Sequence, residues 1–159
     1  MEAGFSSLIG QLLNGLAGAS SLFLVAAGLS LIFGVTRIVN FAHGSFYMLG
    51  LYVAYTLVER LSGSIGFWPA LLLAPLATGV LGAVVEMALL RRIYRAPELL
   101  QLLATFALVL VVKDAVLWAW GPEELFGPRA PGLEGSVQIF GRPFPAYDLL
   151  LIAIGPVVL

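Results

Sequence analysis

The 159-residue chain contains no cysteine, which excludes disulfides and thiolate metal sites. His43 is its only histidine, so a zinc site built on two histidines is excluded as well. Charge is scarce: 11% of residues carry one, against roughly 25% in an ordinary soluble domain. The net charge of -1 argues against a polyanion-binding chain, so nucleic acid is not an expected partner. There is no G-x-x-x-x-G-K-[ST] phosphate loop, which removes ATP hydrolysis by that route. Glu86 and Asp114 are the only deep carboxylates, and neither has a second acid at a useful spacing. The parts of an enzyme are missing.

What fills the chain instead is apolar sequence, 60% of all residues. Ala3 to Thr36, Ile38 to Val58 and Leu61 to Val85 carry no charge, and each exceeds the roughly 20 residues that cross a bilayer core. The first run does not read as a leader peptide, because Glu2 is the only charge before Arg37 and a leader begins with a basic segment. The composition therefore predicts an all-α, polytopic transmembrane helical bundle with four spans and the start of a fifth.

The expected helices are 14–35, 40–61, 68–90, 99–120 and an incomplete one at 148–159. Gly15 and Ala19, then Ala26, Ser30 and Gly34, put small residues at four-residue spacing on the first helix, where a neighbouring backbone can approach. Ser62, Gly63, Ser64 and Gly66 read as a turn. Pro69 is expected in the first turn of the third helix, with Pro75 deeper. Ala74, Thr78 and Gly82 form one small-residue line there, Gly79 and Ala83 another. Residues 121–147 hold five of the nine prolines and read as an external loop. The last run, from Leu149, has eleven residues, about 16 Å of helix against a hydrocarbon core of about 30 Å, so we expect the sequence to be truncated there.

Arg91, Arg92 and Arg95 form the densest positive cluster, and short basic loops stay in the cytoplasm. This puts loop 91–98 inside, the start of the second helix inside and the N-terminus outside.

Polar residues between apolar spans need an explanation, because they are costly in hydrocarbon. Asn40, His43, Gly44 and Tyr47 follow each other along one helical face, with Leu51 beyond them. Two readings stand side by side. In one, Asn40 caps the helix, His43 bonds a carbonyl and Gly44 and Tyr47 pack; in the other, the stripe lines a translocation path or gate. Arg37 reads as a boundary anchor, and Glu86 as an ion-pair or structural partner, for which Arg37 is a candidate.

Ile38-Val-Asn-Phe-Ala-His-Gly44, followed by Phe46-Tyr-Met-Leu-Gly50, resembles the permeases of ABC importers for branched-chain amino acids, the LivH/LivM type and above all LivH. Leu90 to Phe106 and Trp120-Gly121-Pro122 resemble the same family, and the likeness covers nearly the whole chain. It implies a permease subunit in the plasma (inner) membrane that forms part of the translocation path for branched-chain or related amino acids, urea or an amide. It further implies a second permease subunit, two cytoplasmic ATPases that hold ATP and Mg, and a periplasmic or lipid-anchored binding protein. No cofactor is implied in this chain itself. A scaffold subunit without transport and half of a passive channel are the competing readings.

Overall fold

The computed structural model describes residues 2–36, 40–61, 64–127, 130–139 and 141–158. The chain is helical almost throughout: α1 (Glu2–Thr36), α2 (His43–Arg60), α3 (Ser64–Val85), a π-helical segment (Glu86–Leu90), α4 (Arg91–Ile93), α5 (Glu98–Trp120) and α6 (Ala146–Val157). A hairpin of β1 (Ser136–Ile139) and β2 (Arg142–Pro145) precedes α6. The chain divides into two compact units, residues 1–31 with 129–159 and residues 32–128.

Among the described residues, three helices are long and apolar enough to cross a membrane: Ser7–Val35, Gly66–Ile93 and Glu98–Trp120. Of the expected four spans and begun fifth, three meet this measure among the described residues. α2 falls short because its 18 residues, about 27 Å, begin at His43 and end in Glu59 and Arg60, which leaves a shorter apolar stretch. α6 has 12 residues. The chain is an all-α membrane protein.

In the first unit, α1 starts at Glu2 rather than near Asn14, since no proline interrupts 2–13. Its packed residues are Ala17 and Ser20, not the expected line of Gly15, Ala19, Ala26, Ser30 and Gly34, all of which are exposed. Ser20 lies against Gly155 of α6, where an added Cβ would sit 3.0 Å from the serine Oγ. The loop expected at 121–147 is part strand. Ser136 pairs with Pro145 and Ile139 with Arg142, antiparallel, and Gly141 at φ 76° supplies the left-handed residue that a tight hairpin turn requires. Two prolines in β2 hid this hairpin from pattern reading. Ala130 and Phe144 are buried beside it.

In the second unit α2 packs on both α3 and α5. Ala42, Leu108, Val112 and Val116 form the buried centre, with Phe46, Leu49, Tyr52 and Trp120 packed around them. α3 presents Ala70, Ala74 and Thr78 inward, and Thr78 meets Gly50 of α2. The Ala74–Thr78–Gly82 line is thus the packed one, while Gly79 and Ala83 are exposed. α3 begins at Ser64, so Gly66 is helical rather than part of a turn and Pro69 lies inside the helix rather than in its first turn. Gly66 permits this early start: a Cβ there would come within 3.0 Å of Leu61 Cβ and 3.2 Å of the Leu61 carbonyl carbon.

Candidate functional site at the start of α2

The chain turns into α2 through a bend organised by Asn40. Its Oδ1 accepts the Ala42 N–H at 3.0 Å, and its carbonyl accepts the His43 N–H at 3.2 Å. An asparagine side chain that bonds the backbone two residues on mimics a turn, which is why this residue type suits the position. Ala42 then accepts from Phe46 at 3.0 Å, and the helix is under way.

From there the two faces of α2 diverge. Ala42 and Ser45 are buried, and Phe46, Leu49 and Tyr52 pack with Ala42 against α5. On the other face Gly44, Tyr47 and Leu51 are exposed, and Asn40 and His43 are half-buried. The predicted stripe is therefore continuous and faces outward. Among the described residues, a Cβ placed on Gly44 would meet open space beyond its own helix. The His43 side chain makes no hydrogen bond among the described residues.

Arg37 lies outside the described residues. Glu86 is the first residue of the π segment, and its carboxylate accepts the Tyr94 hydroxyl at 3.1 Å. Arg91, Arg92 and Arg95 are exposed. The Tyr94 phenol is held above its ordinary pKa by burial first, then by the hydrogen bond to Glu86 and by the Glu86 charge, with Arg91 opposing.

Two polar anchors escaped sequence reasoning. Gln101, on the buried face of α5, donates its amide to the Tyr94 carbonyl at 3.2 Å and the Ala96 carbonyl at 2.9 Å. This ties the arginine-bearing turn to α5. Pro97 starts α5 by accepting from Leu100 and Gln101. The clue was available: Gln101 and Thr105 are polar at i, i+4 in an otherwise apolar run, and both are buried. The second anchor is Thr56 of α2 with Trp120, at the other end of α5.

A family model described as the permease component of the branched-chain amino acid transport system matches residues 11–154. The high-affinity branched-chain amino acid transport system permease protein BraD of Pseudomonas aeruginosa is 28% identical over 120 residues, 72% of this chain and 39% of that protein. The permease protein LivH of the corresponding Salmonella typhimurium system is 26% identical over 137 residues, 80% of this chain and 44% of LivH. LivH of Escherichia coli K12 matches over the same shares. The chain spans less than half the length of these relatives. No solved structure matches significantly. With nearly all of its length matched, the chain belongs to the family of branched-chain amino acid transport permease components.

Proposed function

We propose that this chain is part of the membrane-spanning permease subunit of an ABC importer for branched-chain or related amino acids, and that the outward face of α2 contributes to the translocation path. The observation that carries the reading is the family match across residues 11–154, which contains the whole Asn40–Tyr47 stripe. A permease is not itself the hydrolase. ATP and Mg belong to two cytoplasmic ATPase subunits, and a second permease and a periplasmic or lipid-anchored binding protein complete the importer.

In this reading α2 crosses the membrane as a fourth span. Its length of about 27 Å approaches the hydrocarbon thickness of about 30 Å, and charged Glu59 and Arg60 suit the interface. α6 begins a fifth. The Arg91, Arg92 and Arg95 turn lies in the cytoplasm, which puts the start of α2 there and the N-terminus outside. Asn40 shapes the inner end of the path through its turn. His43 and Tyr47 offer polar groups along it, and Gly44 leaves room beside them.

The test is leucine uptake into proteoliposomes that hold the full-length permease with its partner subunits. His43→Ala and Tyr47→Ala should reduce uptake at unchanged membrane abundance, since these side chains are not buried in the α2–α5 core. Wild-type uptake by both variants overturns the assignment of the path.

A further inference from the structure

Thr78 departs from the pattern set by Thr56 and Thr105. Those two hydroxyls each donate to a carbonyl of their own helix, Tyr52 at 2.9 Å and Leu102 at 3.1 Å. The Thr78 hydroxyl oxygen is enclosed and has no hydrogen-bond partner among the described residues. It faces α2 instead, where a Cβ placed on Gly50 would lie 3.5 Å from that oxygen and 3.9 Å from the threonine methyl. A methyl group would just fit between them, and Gly50 leaves that space open.

The depth of the hydroxyl makes its lack of a partner costly. Thr78 lies about 18 Å along the helix from Gly66 and about 22 Å from Ile93, the ends of a stretch apolar enough to cross a membrane. Hydrocarbon supplies no water to an unpaired polar group. A further helix laid against the outside could not reach the oxygen, because it is already covered. A partner must enter between α2 and α3.

That place is continuous with the polar stripe of α2. Gly50 follows His43 by seven residues, two turns that return to within about 20° of the same bearing, and Tyr47 lies one turn before it. His43 and Gly50 are half-buried and Tyr47 is exposed, so the three follow the edge along which the outward face of α2 meets α3. His43 and Tyr47 thus lead to the Thr78 hydroxyl, which stands beside α2 about 10 Å beyond His43.

We propose that Thr78 is a solute-binding residue of the permease. Its hydroxyl donates a hydrogen bond to the carboxylate of an amino acid that enters the Gly50 gap as α2 and α3 part. Threonine in a helix ordinarily gives this proton to a carbonyl three or four residues back, and at Thr78 the donor is unused. An anionic acceptor gains most from such a donor where water is excluded. The inference rests on the reading of the chain as a permease whose path runs along α2.

The test pairs uptake with stability, which a purely structural hydroxyl would lower together. In proteoliposomes that hold the full-length permease with its partner subunits, Thr78→Val should lower leucine uptake about tenfold, as loss of a hydrogen bond to a charged group predicts. Thr78→Ser, which keeps the hydroxyl, should recover most of it. In detergent, Thr78→Val should melt no earlier than wild type, because a methyl replaces an unpaired buried hydroxyl. Gly50→Ala should fold normally, since its Cβ meets Thr78 at ordinary contact distances, and should lower uptake by closing the gap. Wild-type uptake in Thr78→Val overturns the proposal. So does a loss of uptake accompanied by earlier melting, or an equal loss in Thr78→Ser. Wild-type uptake in Gly50→Ala overturns the placement of the solute in the gap. His43→Ala and Tyr47→Ala, measured alongside, separate the two readings: reduced uptake in both, beside wild-type uptake in Thr78→Val, leaves the α2 path standing and removes Thr78 from it.

Discussion

The Trp120 indole N–H donates to the Thr56 hydroxyl at 2.8 Å, which joins residues 64 positions apart and fastens the end of α5 to α2. The Thr56 hydroxyl in turn donates a hydrogen bond to the Tyr52 carbonyl at 2.9 Å, and the Tyr52 and Trp120 rings lie 5.4 Å apart at 46°. One indole thus supplies a donor to a hydroxyl and a ring to a stack. Immediately after it Gly121 leaves the helix at φ 82°, ψ -178°, a conformation nearly confined to glycine.

Removal of the indole donor should be felt in stability. Trp120→Phe keeps much of the ring but loses the bond, and should cost about 1 kcal/mol. Thr56→Val should cost a similar amount, and the double variant less than the sum of both. Thermal unfolding in detergent reads all three; strict additivity would show that the bond contributes nothing.

Gln101→Leu should loosen the arginine-bearing turn. The substitution strips the Tyr94 and Ala96 carbonyls of their donor, at a cost of roughly 1–3 kcal/mol. Hydrogen exchange should accelerate at Ala96 and Leu100, whose amides close the turn and start α5. Unchanged protection there would show that the side chain does not hold the turn.

The Tyr94 phenol should titrate above its ordinary 10.0. Its raised pKa favours the protonated form in the fold. The stabilisation is complete below the unfolded value and disappears as pH rises through the folded one. The difference in phenolate absorbance between wild type and Tyr94→Phe reports this midpoint. Glu86→Gln should lower it, since the carboxylate both accepts the proton's hydrogen bond and repels the phenolate; no change on that substitution contradicts the pairing.

Two glycines should respond in opposite ways to alanine. Gly66→Ala drives a methyl into Leu61 at the α2–α3 junction and should destabilise by roughly 1–3 kcal/mol. Gly44→Ala meets open space and should stabilise α2 by about 0.5–1 kcal/mol. Any loss of uptake in Gly44→Ala then belongs to the path and not to folding. Equal melting temperatures for the two variants would refute the contrast.

Much of the helical framework was legible because hydrophobic length is a local property. The run from Leu99 to Trp120 needs no neighbour to declare itself a helix, and α5 follows it within a residue. Helix ends were less legible. α3 reaches back to Ser64 because Gly66 tolerates contact with Leu61, a relationship between two chain segments that spacing does not encode. In the candidate site, the Asn40 turn was readable from one residue's chemistry, whereas the Gln101 clamp depended on how the chain folds back between α4 and α5.

Sequence by itself determined the membrane class and the family. These follow from composition and from local motifs, which survive without coordinates. Only the tertiary structure decided which helix faces are covered. Gly15 and Ala74 both lie on lines of small residues, yet one line is exposed and the other packed. Periodicity says that a helix has a face suited to close approach, but a second helix must be present to use it. The same reason leaves the α2 stripe outward, with Ala42 rather than His43 and Tyr47 turned to α5.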